Sequence, residues 1–475
     1  MSQRPNILFL MTDQMQAAVL EPGHVCRTPN FDRLATGGLR IRNAYPANPV
    51  CSPSRASLMT GLLPHNHGVL EVTHCVDDDQ CNLRVDKPHW AQSLCKAGYR
   101  TGYFGKWHIE RSDDLARFGW QVDGGDGSKL FKQRLQELSG GKKGKRSLEW
   151  KLSVPEGYND HLLYAVTDQP PEQRKMGAVT SLALDFLNEH GSGGAPWCCF
   201  ASVPEPHDPY VVSEAFFKQY NVDEMPLPAN VNDDLAKRPG LYRKITRYWG
   251  HMTERQKREA AACYFALISE IDAQYGRILD WLDKSGQADN TIVVLTSDHG
   301  ELLGVHSLWF KNIGMFEEAN RIPMVLRGPG IAKGVTDARV GLHDVGSTLL
   351  ELAGLEPIRV PDSRPFTPLL KDPAGQAKNF RTGYAEYFGN RLKLTQRAIW
   401  DGPWKLVFNG FDIDELYNLD EDPHEMNNRI DDPACREPLR SLTKQMWRII
   451  KDTNDHALWN SHYGVLRAAP FGPGI

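Results

Sequence analysis

Cys51-Ser52-Pro53-Ser54-Arg55 opens a run that continues in helical style to Thr60-Gly61. With Ser52 or Cys51 placed to cap and Pro53 in the first turn, the Cys51 thiol is expected at a helix N-terminus. Free amide groups and the helix dipole there favour an anion, and Arg55, one turn on, adds fixed positive charge. Asp13-Gln14 directly follows the apolar run Ile7–Met11, and Thr296-Ser297-Asp298-His299-Gly300-Glu301 closes a second such run. Open α/β sheets present ligands at the carboxyl ends of their strands. Asp13, Gln14, Asp298 and His299, joined by residue 51, therefore read as a mainly oxygen shell for one divalent cation. Two further strand ends carry ionisable groups: Gly105-Lys106-Trp107-His108 after Tyr99–Phe104, and Pro206-His207-Asp208-Pro209 after Trp197–Val203.

The Cys-x-Pro-x-Arg pattern with its Thr-Gly continuation, the Gly-Lys-Trp-His segment and the stretch from Asp414 through Leu416-Tyr417 to Asn428 resemble the formylglycine-dependent sulfatases of the alkaline-phosphatase-like superfamily, over most of the chain. The resemblance implies that a formylglycine-generating enzyme oxidises Cys51 after translation. One hydroxyl of the hydrated aldehyde then attacks sulfur and the other expels sulfate, where an ordinary serine would end as a stable ester. It further implies metal ligation by Asp13, Gln14, residue 51, Asp298 and His299. Arg55, Lys106 and Lys311 would converge on the sulfate and favour a trigonal-bipyramidal transition state. His108 would help to remove the hemiacetal proton, and His207 would donate to the leaving oxygen or bind sulfate.

Many members of that family carry a second Asp where Gln14 stands and an Asn where His299 stands. An all-oxygen shell suits Ca2+, whereas an imidazole favours Mn2+ or another transition ion. The cation's task is to lower the pKa of the attacking hydroxyl and to neutralise the sulfate oxygens. Phosphonate monoester hydrolases and phosphodiesterases of the same superfamily, which share the Asp-Gln and Asp-His pattern, are the nearest alternative, with dual activity within its scope. They generally lack Gly-Lys-Trp-His, which favours hydrolysis of an aryl, alkyl or sugar sulfate.

Other polar residues read more blandly. His65 and His67 resemble a turn behind the nucleophile helix, and His306 is a candidate for a supporting place behind the site. His74, near Asp77, Asp78 and Asp79, reads as part of a polar loop; Glu71, His74, Trp309 and Asn312 are candidates to line the pocket. Periodicity fades between Arg111 and Gln169, and Ser139–Arg146, with three glycines and four basic residues, reads as a solvated loop.

Elements must bring these strand ends together. Strands at Asn6–Thr12, Leu39–Ala44, Tyr99–Phe104, Trp197–Val203, Thr291–Thr296 and Pro323–Leu326 alternate with helices at Pro29–Thr36 and Pro88–Ala97. The expectation is an α/β domain over 1–368, with a large, mostly parallel sheet sandwiched by helices. Its longest helix, Thr253–Asp283, carries a core stripe through Tyr264, Leu267, Ile271 and Tyr275. Short strands at Thr382–Phe388, Arg397–Trp400 and Trp404–Phe408, then a helix at Glu437–Lys451, predict a smaller antiparallel α+β unit over 369–475. Its tail, Tyr463–Ile475, reads as disordered or as an arm on a neighbouring subunit, making a homo-oligomer possible.

The 475 residues hold 55 Lys and Arg against 59 Asp and Glu, a formal charge of -4, which points to neither nucleic acid nor an anionic membrane surface. No apolar segment reaches membrane-spanning length. Nine scattered cysteines and an opening strand without a secretory pattern place the protein in the cytoplasm. The expected partners are a small-molecule or saccharide sulfate ester and the maturation enzyme.

Overall fold

The computed structural model describes residues 4–77, 83, 84, 86–112, 114–191, 193–311, 313–459 and 467–475. In chain order the strands are β1 (Asn6–Asp13), β2 (Leu39–Tyr45), β3 (Arg100–Gly105), β4 (Val122–Gly125), β5 (Arg146–Leu152), β6 (His161–Thr167), β7 (Trp197–Pro206) and β8 (Tyr210–Ser213). They continue with β9 (Thr291–Ser297), β10 (Met324–Arg327), β11 (Gly334–Gly341), β12 (Thr382–Gly389), β13 (Lys393–Asp401), β14 (Trp404–Asn409) and β15 (Glu415–Asn418).

The main sheet has eight strands in the order β11-β2-β10-β9-β1-β7-β3-β4. Pairing is parallel except at β10, which runs antiparallel between β9 and β2. β1 and β9 are buried along their whole length, which is why they read as continuous apolar runs without alternation. Leu8 and Leu10 of β1 face one core with the helices Lys175–His190 and Glu254–Lys284, while Ile7, Phe9 and Met11 face a second core with Cys51–Thr60, Trp90–Lys96 and Val345–Leu352. This is the expected sandwich, and it puts the carboxyl ends of β1, β9, β7 and β3 side by side.

The helix Glu254–Lys284 begins at a capping box in which the Gln256 amide N–H donates to Thr253 Oγ1 at 3.2 Å and the Thr253 N–H donates to the Gln256 side chain at 2.9 Å. Its apolar stripe is buried as expected, but two stripe residues also hold the end of β1. Tyr275 donates to the Met11 carbonyl at 2.6 Å and Tyr264 to the Gln14 carbonyl at 2.7 Å.

Three expectations change. The 111–169 region contains a helix, Lys129–Ser139, and the antiparallel pair β5 and β6, which joins β8 in a three-stranded sheet. β5 is largely exposed, so no apolar periodicity announces it. The expected division at 368 falls inside the helix Thr367–Lys371, whose Leu369 and Leu370 belong with Phe366 and Phe380 to the main core. The smaller unit therefore begins with β12: an antiparallel sheet, β12-β13-β14-β15, covered by the helix Arg436–Asp452. Finally, of the tail, 467–475 folds back on its own chain, where Trp447 Nε1 donates to the Phe471 carbonyl at 2.7 Å. These residues are thus ordered against their own chain; 463–466 lie outside the described residues. Among the described residues no helix is long and apolar enough to cross a membrane.

Candidate active site

Cys51 is the first residue of the helix Cys51–Thr60, with Val50 at the cap position and no side-chain cap. Ser52, expected as a possible cap, instead accepts from the Thr73 N–H at 3.2 Å. The whole helix is buried, so its start lies beneath the strand ends and not at the surface.

Asp13, Cys51, Asp298 and His299 bring their ligand atoms within 4.8 Å of one another, all of them fully buried. His299 Nδ1 donates to the Gly300 carbonyl at 2.9 Å, which leaves Nε2 facing Cys51 Sγ at 3.2 Å and Asp13 Oδ1 at 3.5 Å. A lone pair held toward two carboxylates and a residue-51 side chain fits a bound divalent cation. Gly300 permits this turn, because a Cβ there would sit 1.9 Å from the Glu318 carbonyl oxygen.

Gln14 is held in a left-handed conformation, φ 72°. Its N–H donates to Asp298 Oδ1 at 3.1 Å, while its amide oxygen accepts from Lys311 Nζ at 2.6 Å and its amide nitrogen contacts Glu301. Its amide oxygen thus faces Lys311. Backbone strain of this kind recurs at His108 and Phe310, with φ of 54° and 67°, and clusters around the site.

Arg55 departs from its expected role on the sulfate. Its Nε donates to Asp298 Oδ2 at 2.7 Å, Nη1 to the Lys106 carbonyl at 2.8 Å and Ser202 Oγ at 2.9 Å, and Nη2 to Asp13 Oδ2 at 3.4 Å. A guanidinium so deeply buried and so fully engaged fixes the two carboxylates from behind. Lys106, brought in by β3, pairs with Asp13. Gly105 lets β3 approach β7, since a Cβ would lie 2.0 Å from the Ser202 carbonyl oxygen. Burial and Cys51 push the Asp13 carboxyl up; Lys106, His207 and Arg55 outweigh them and hold it below its ordinary value. Burial likewise raises the Cys51 thiol, but Lys106, Lys311 and His299 hold it well below its ordinary value.

His207 Nδ1 faces the Asp208 carbonyl at 2.8 Å, and Nε2 meets Lys311 Nζ. His108 Nε2 lies 3.0 Å from His74 Nδ1, and His108 Nδ1 is buried without a hydrogen-bond partner. His74 therefore orients His108, a role its loop position did not suggest. Glu301 was also missed as a site residue: its Oε1 accepts from the Leu303 and Phe310 N–H groups at 2.8 and 2.7 Å, shaping the loop that carries Lys311. Its signal was its place just beyond Asp298-His299-Gly300.

The site opens into a cavity of about 530 Å³ lined by Cys51, His108, His207, Lys311, Trp309 and Tyr158, among others. Trp309 and His74 line it as expected; Glu71 does not, and Asn312, Asp78 and Asp79 lie outside the described residues. His306 is not part of the site. It contacts Asp233 Oδ2 at 2.6 Å and Asn230 Nδ2 at 3.1 Å. His67 contacts Ser57 Oγ at 2.9 Å in the helix Cys51–Thr60, the structural place expected of it.

Comparison with known proteins agrees with this geometry. The family model described as sulfatase matches residues 5–355, and one for the C-terminal part of N-sulphoglucosamine sulphohydrolase matches 304–452. The chain is 29% identical over 470 residues to a choline-sulfatase of Rhizobium meliloti, covering 94% of this chain and 86% of that protein. It is 30% identical over 445 residues to the uncharacterized sulfatase YidJ of Escherichia coli, covering 90% and 84%. A solved phosphonate monoester hydrolase from Silicibacter pomeroyi superposes with a TM-score of 0.78 at 24% identity, over 96% of this chain and 97% of that one.

Proposed function

The chain belongs to the sulfatase family and is a sulfuric ester hydrolase, and from that premise we propose that Cys51, matured to formylglycine, provides its nucleophile. The observation that carries this reading is the convergence of Asp13, Cys51, Asp298 and His299 within 4.8 Å at the base of the cavity. Formylglycine supplies, as its hydrate, one hydroxyl to attack and a second to expel sulfate. A divalent cation held by Asp13, Asp298 and His299 would supply Lewis acidity, and the imidazole favours Mn2+ or another transition ion over Ca2+.

The remaining work falls to the chain's own groups. Arg55 holds both carboxylates in place. Lys106 and Lys311 put positive charge beside residue 51, where it favours an anionic ester and its more highly charged transition state. His108, whose free Nδ1 is set by the His74 contact, is placed to take a proton from the residue-51 hydroxyl. His207, whose Nδ1 is anchored on Asp208, presents Nε2 to the leaving oxygen. The eight described cysteines are free thiols, which supports a reducing compartment, and we place the protein in the cytoplasm.

The test is peptide mass spectrometry of the Cys51 segment from protein coexpressed with a formylglycine-generating enzyme, paired with an aryl sulfate assay. We expect a loss of about 18 Da, the arithmetic of replacing CH2-SH by an aldehyde, to track with activity. Fully active enzyme with an unmodified Cys51 would overturn the nucleophile. The Gln14 and His299 pattern supports phosphonate monoester hydrolysis as the second reading. A kcat/KM for an aryl phosphonate far above that for the aryl sulfate would reverse the order.

A further inference from the structure

Release of sulfate from residue 51 has to dispose of a proton. As the second hydroxyl gives up its hydrogen, the C=O bond re-forms, the C–O bond to sulfate breaks, and sulfate departs with the electron pair. Residue 51 is only 1% exposed, so that proton starts from a buried oxygen and has to reach water. His108 is placed to take it, but a base that kept its proton could not serve the next cycle.

Two imidazoles in series span the distance. His108 Nε2 lies 3.0 Å from His74 Nδ1. The ring centroids are 5.2 Å apart, close to the largest separation that such a contact allows, and the planes differ by only 18°. The rings therefore meet edge to edge, with the hydrogen bond near the plane of both. At the inner end, among the described residues, His108 Nδ1 is buried without a hydrogen-bond partner, and His108 lines the cavity that Cys51 lines. At the outer end His74 is exposed and also borders two neighbouring cavities that Cys51 does not reach. The turn that carries His74, Thr73–Cys75, is fixed to the helix of Cys51, because the Thr73 N–H donates to Ser52 Oγ at 3.2 Å. The pair begins beside residue 51 and ends in solvent.

Tautomers give the direction. A neutral imidazole that accepts at Nδ1 carries its own proton on Nε2 and donates it there. When His108 Nδ1 takes the residue-51 proton, the His108 Nε2 proton crosses to His74 Nδ1, and the His74 Nε2 proton passes to water. One proton enters the pair and one leaves. Rehydration of the aldehyde runs the pair inward: His108 Nδ1 protonates the new hydroxyl, His74 refills His108 Nε2 and water refills His74 Nε2, while the adding water gives its spare proton to solvent. Both rings are then back in their starting tautomers.

We propose that His74 is the outer half of a proton relay, from residue 51 through His108 and His74 to water, that serves release of sulfate. The proposal rests on the sulfatase reading of the site and goes beyond orientation of His108. His74 touches no reacting atom; it is a positioning residue that also passes on the proton.

The experiment follows phenol release from an aryl sulfate by stopped flow, using matured full-length wild type, His74→Asn and His74→Ala. Asparagine offers an amide oxygen in place of His74 Nδ1, so it keeps the bond that orients His108 but relays no proton. Because attack on the ester does not use the relay, both variants should keep kcat/KM within about twofold and lose about 10- to 100-fold in kcat. Phenol should then appear as a burst of about one equivalent per site before a slow steady state, as sulfated residue 51 accumulates. Imidazole added to His74→Ala should raise kcat by about tenfold. Wild-type kcat in His74→Asn would reduce His74 to an orienting contact and overturn the relay. A burst-free loss shared equally by kcat and kcat/KM, or no rescue of His74→Ala by imidazole, would overturn it too. His74 is exposed, so neither substitution empties a core position. Matured wild type inactive on the aryl sulfate would overturn the sulfatase reading and the relay with it, whereas failure of the relay alone leaves wild type active.

Discussion

Among the described residues two groups of ionisable side chains have the composition of a metal site: the buried Asp13, Cys51, Asp298 and His299 at the strand ends, and the half-buried His65 with the buried Glu386 and Asp455 between the main domain and the smaller unit. In the second group each charge meets its opposite. His65 Nδ1 lies 2.7 Å from Glu386 Oε1 and its Nε2 lies 3.0 Å from the Thr453 carbonyl, so both nitrogens donate and neither keeps a lone pair for a metal. Arg397 adds its own charge, donating to Asp455 Oδ2 from Nε at 3.0 Å and Nη2 at 2.7 Å. In the first group His299 Nε2 is left facing the carboxylates, and Cys51 lines a cavity. The same residue types thus make a cross-link where partners close the circle and a reactive centre where one side stays open.

The largest effect should separate the two outright. Cys51→Ala is expected to lower turnover by about 10⁴-fold or more with far-UV dichroism and Tm unchanged. Unchanged turnover would remove the distinction. Glu386→Ala should do the reverse, destabilising the fold by about 3–5 kcal/mol in urea unfolding because it leaves the largely buried His65 imidazole without its carboxylate and takes from Arg397 the second acid, 3.8 Å away, that stands beside Asp455. The folded fraction should keep its kcat, and a catalytic loss without a stability loss would make the second cluster part of the chemistry.

Proton linkage sharpens the same contrast. Burial pulls the His65 pKa down, but the hydrogen bond and charge of Glu386 raise it from 6.5 to about 9. A raised histidine pKa contributes stability that is fully present below pH 6.5 and is lost as pH rises through about 9. Relative to His65→Gln, wild type should therefore lose up to about 3 kcal/mol between pH 6 and pH 10, measured by urea unfolding at each pH. A constant difference would mean that His65 is neutral throughout. Next in size, adding Mn2+ to chelated protein at about 100 times its Kd should raise stability by about 2.7 kcal/mol. The gain should vanish in Asp13→Asn and persist in His65→Gln; loss in both would assign a cation to each cluster. The smallest change concerns the cavity wall: Tyr158, 76% exposed, is expected on substitution by Ala to raise KM for an aryl sulfate by about threefold with Tm unmoved.

Legibility followed the kind of constraint each residue answers. Asp13, Lys106, His207 and Asp298 were readable because each stands directly after an apolar strand, and a strand end has one place in an open sheet. Their convergence needed only that the strands be neighbours, which parallel order supplies. Arg55 was readable as a site residue, but helical spacing shows only that it faces the strand ends and not that its guanidinium holds Asp13 and Asp298. His74 and Glu301 were not readable as site parts. Both act through hydrogen bonds to groups distant in sequence or in a loop.

By itself, then, the order of residues determined the α/β class, the helix that begins at Cys51 and the strand-end acids and bases, because local periodicity and strand termini are properties of short segments. Only tertiary structure decided which charges are answered and which are left open. Whether Arg55 meets a carboxylate or a substrate and whether His65 closes a cross-link both depend on what other segments bring within hydrogen-bond distance. No short stretch of sequence contains both partners of such a contact.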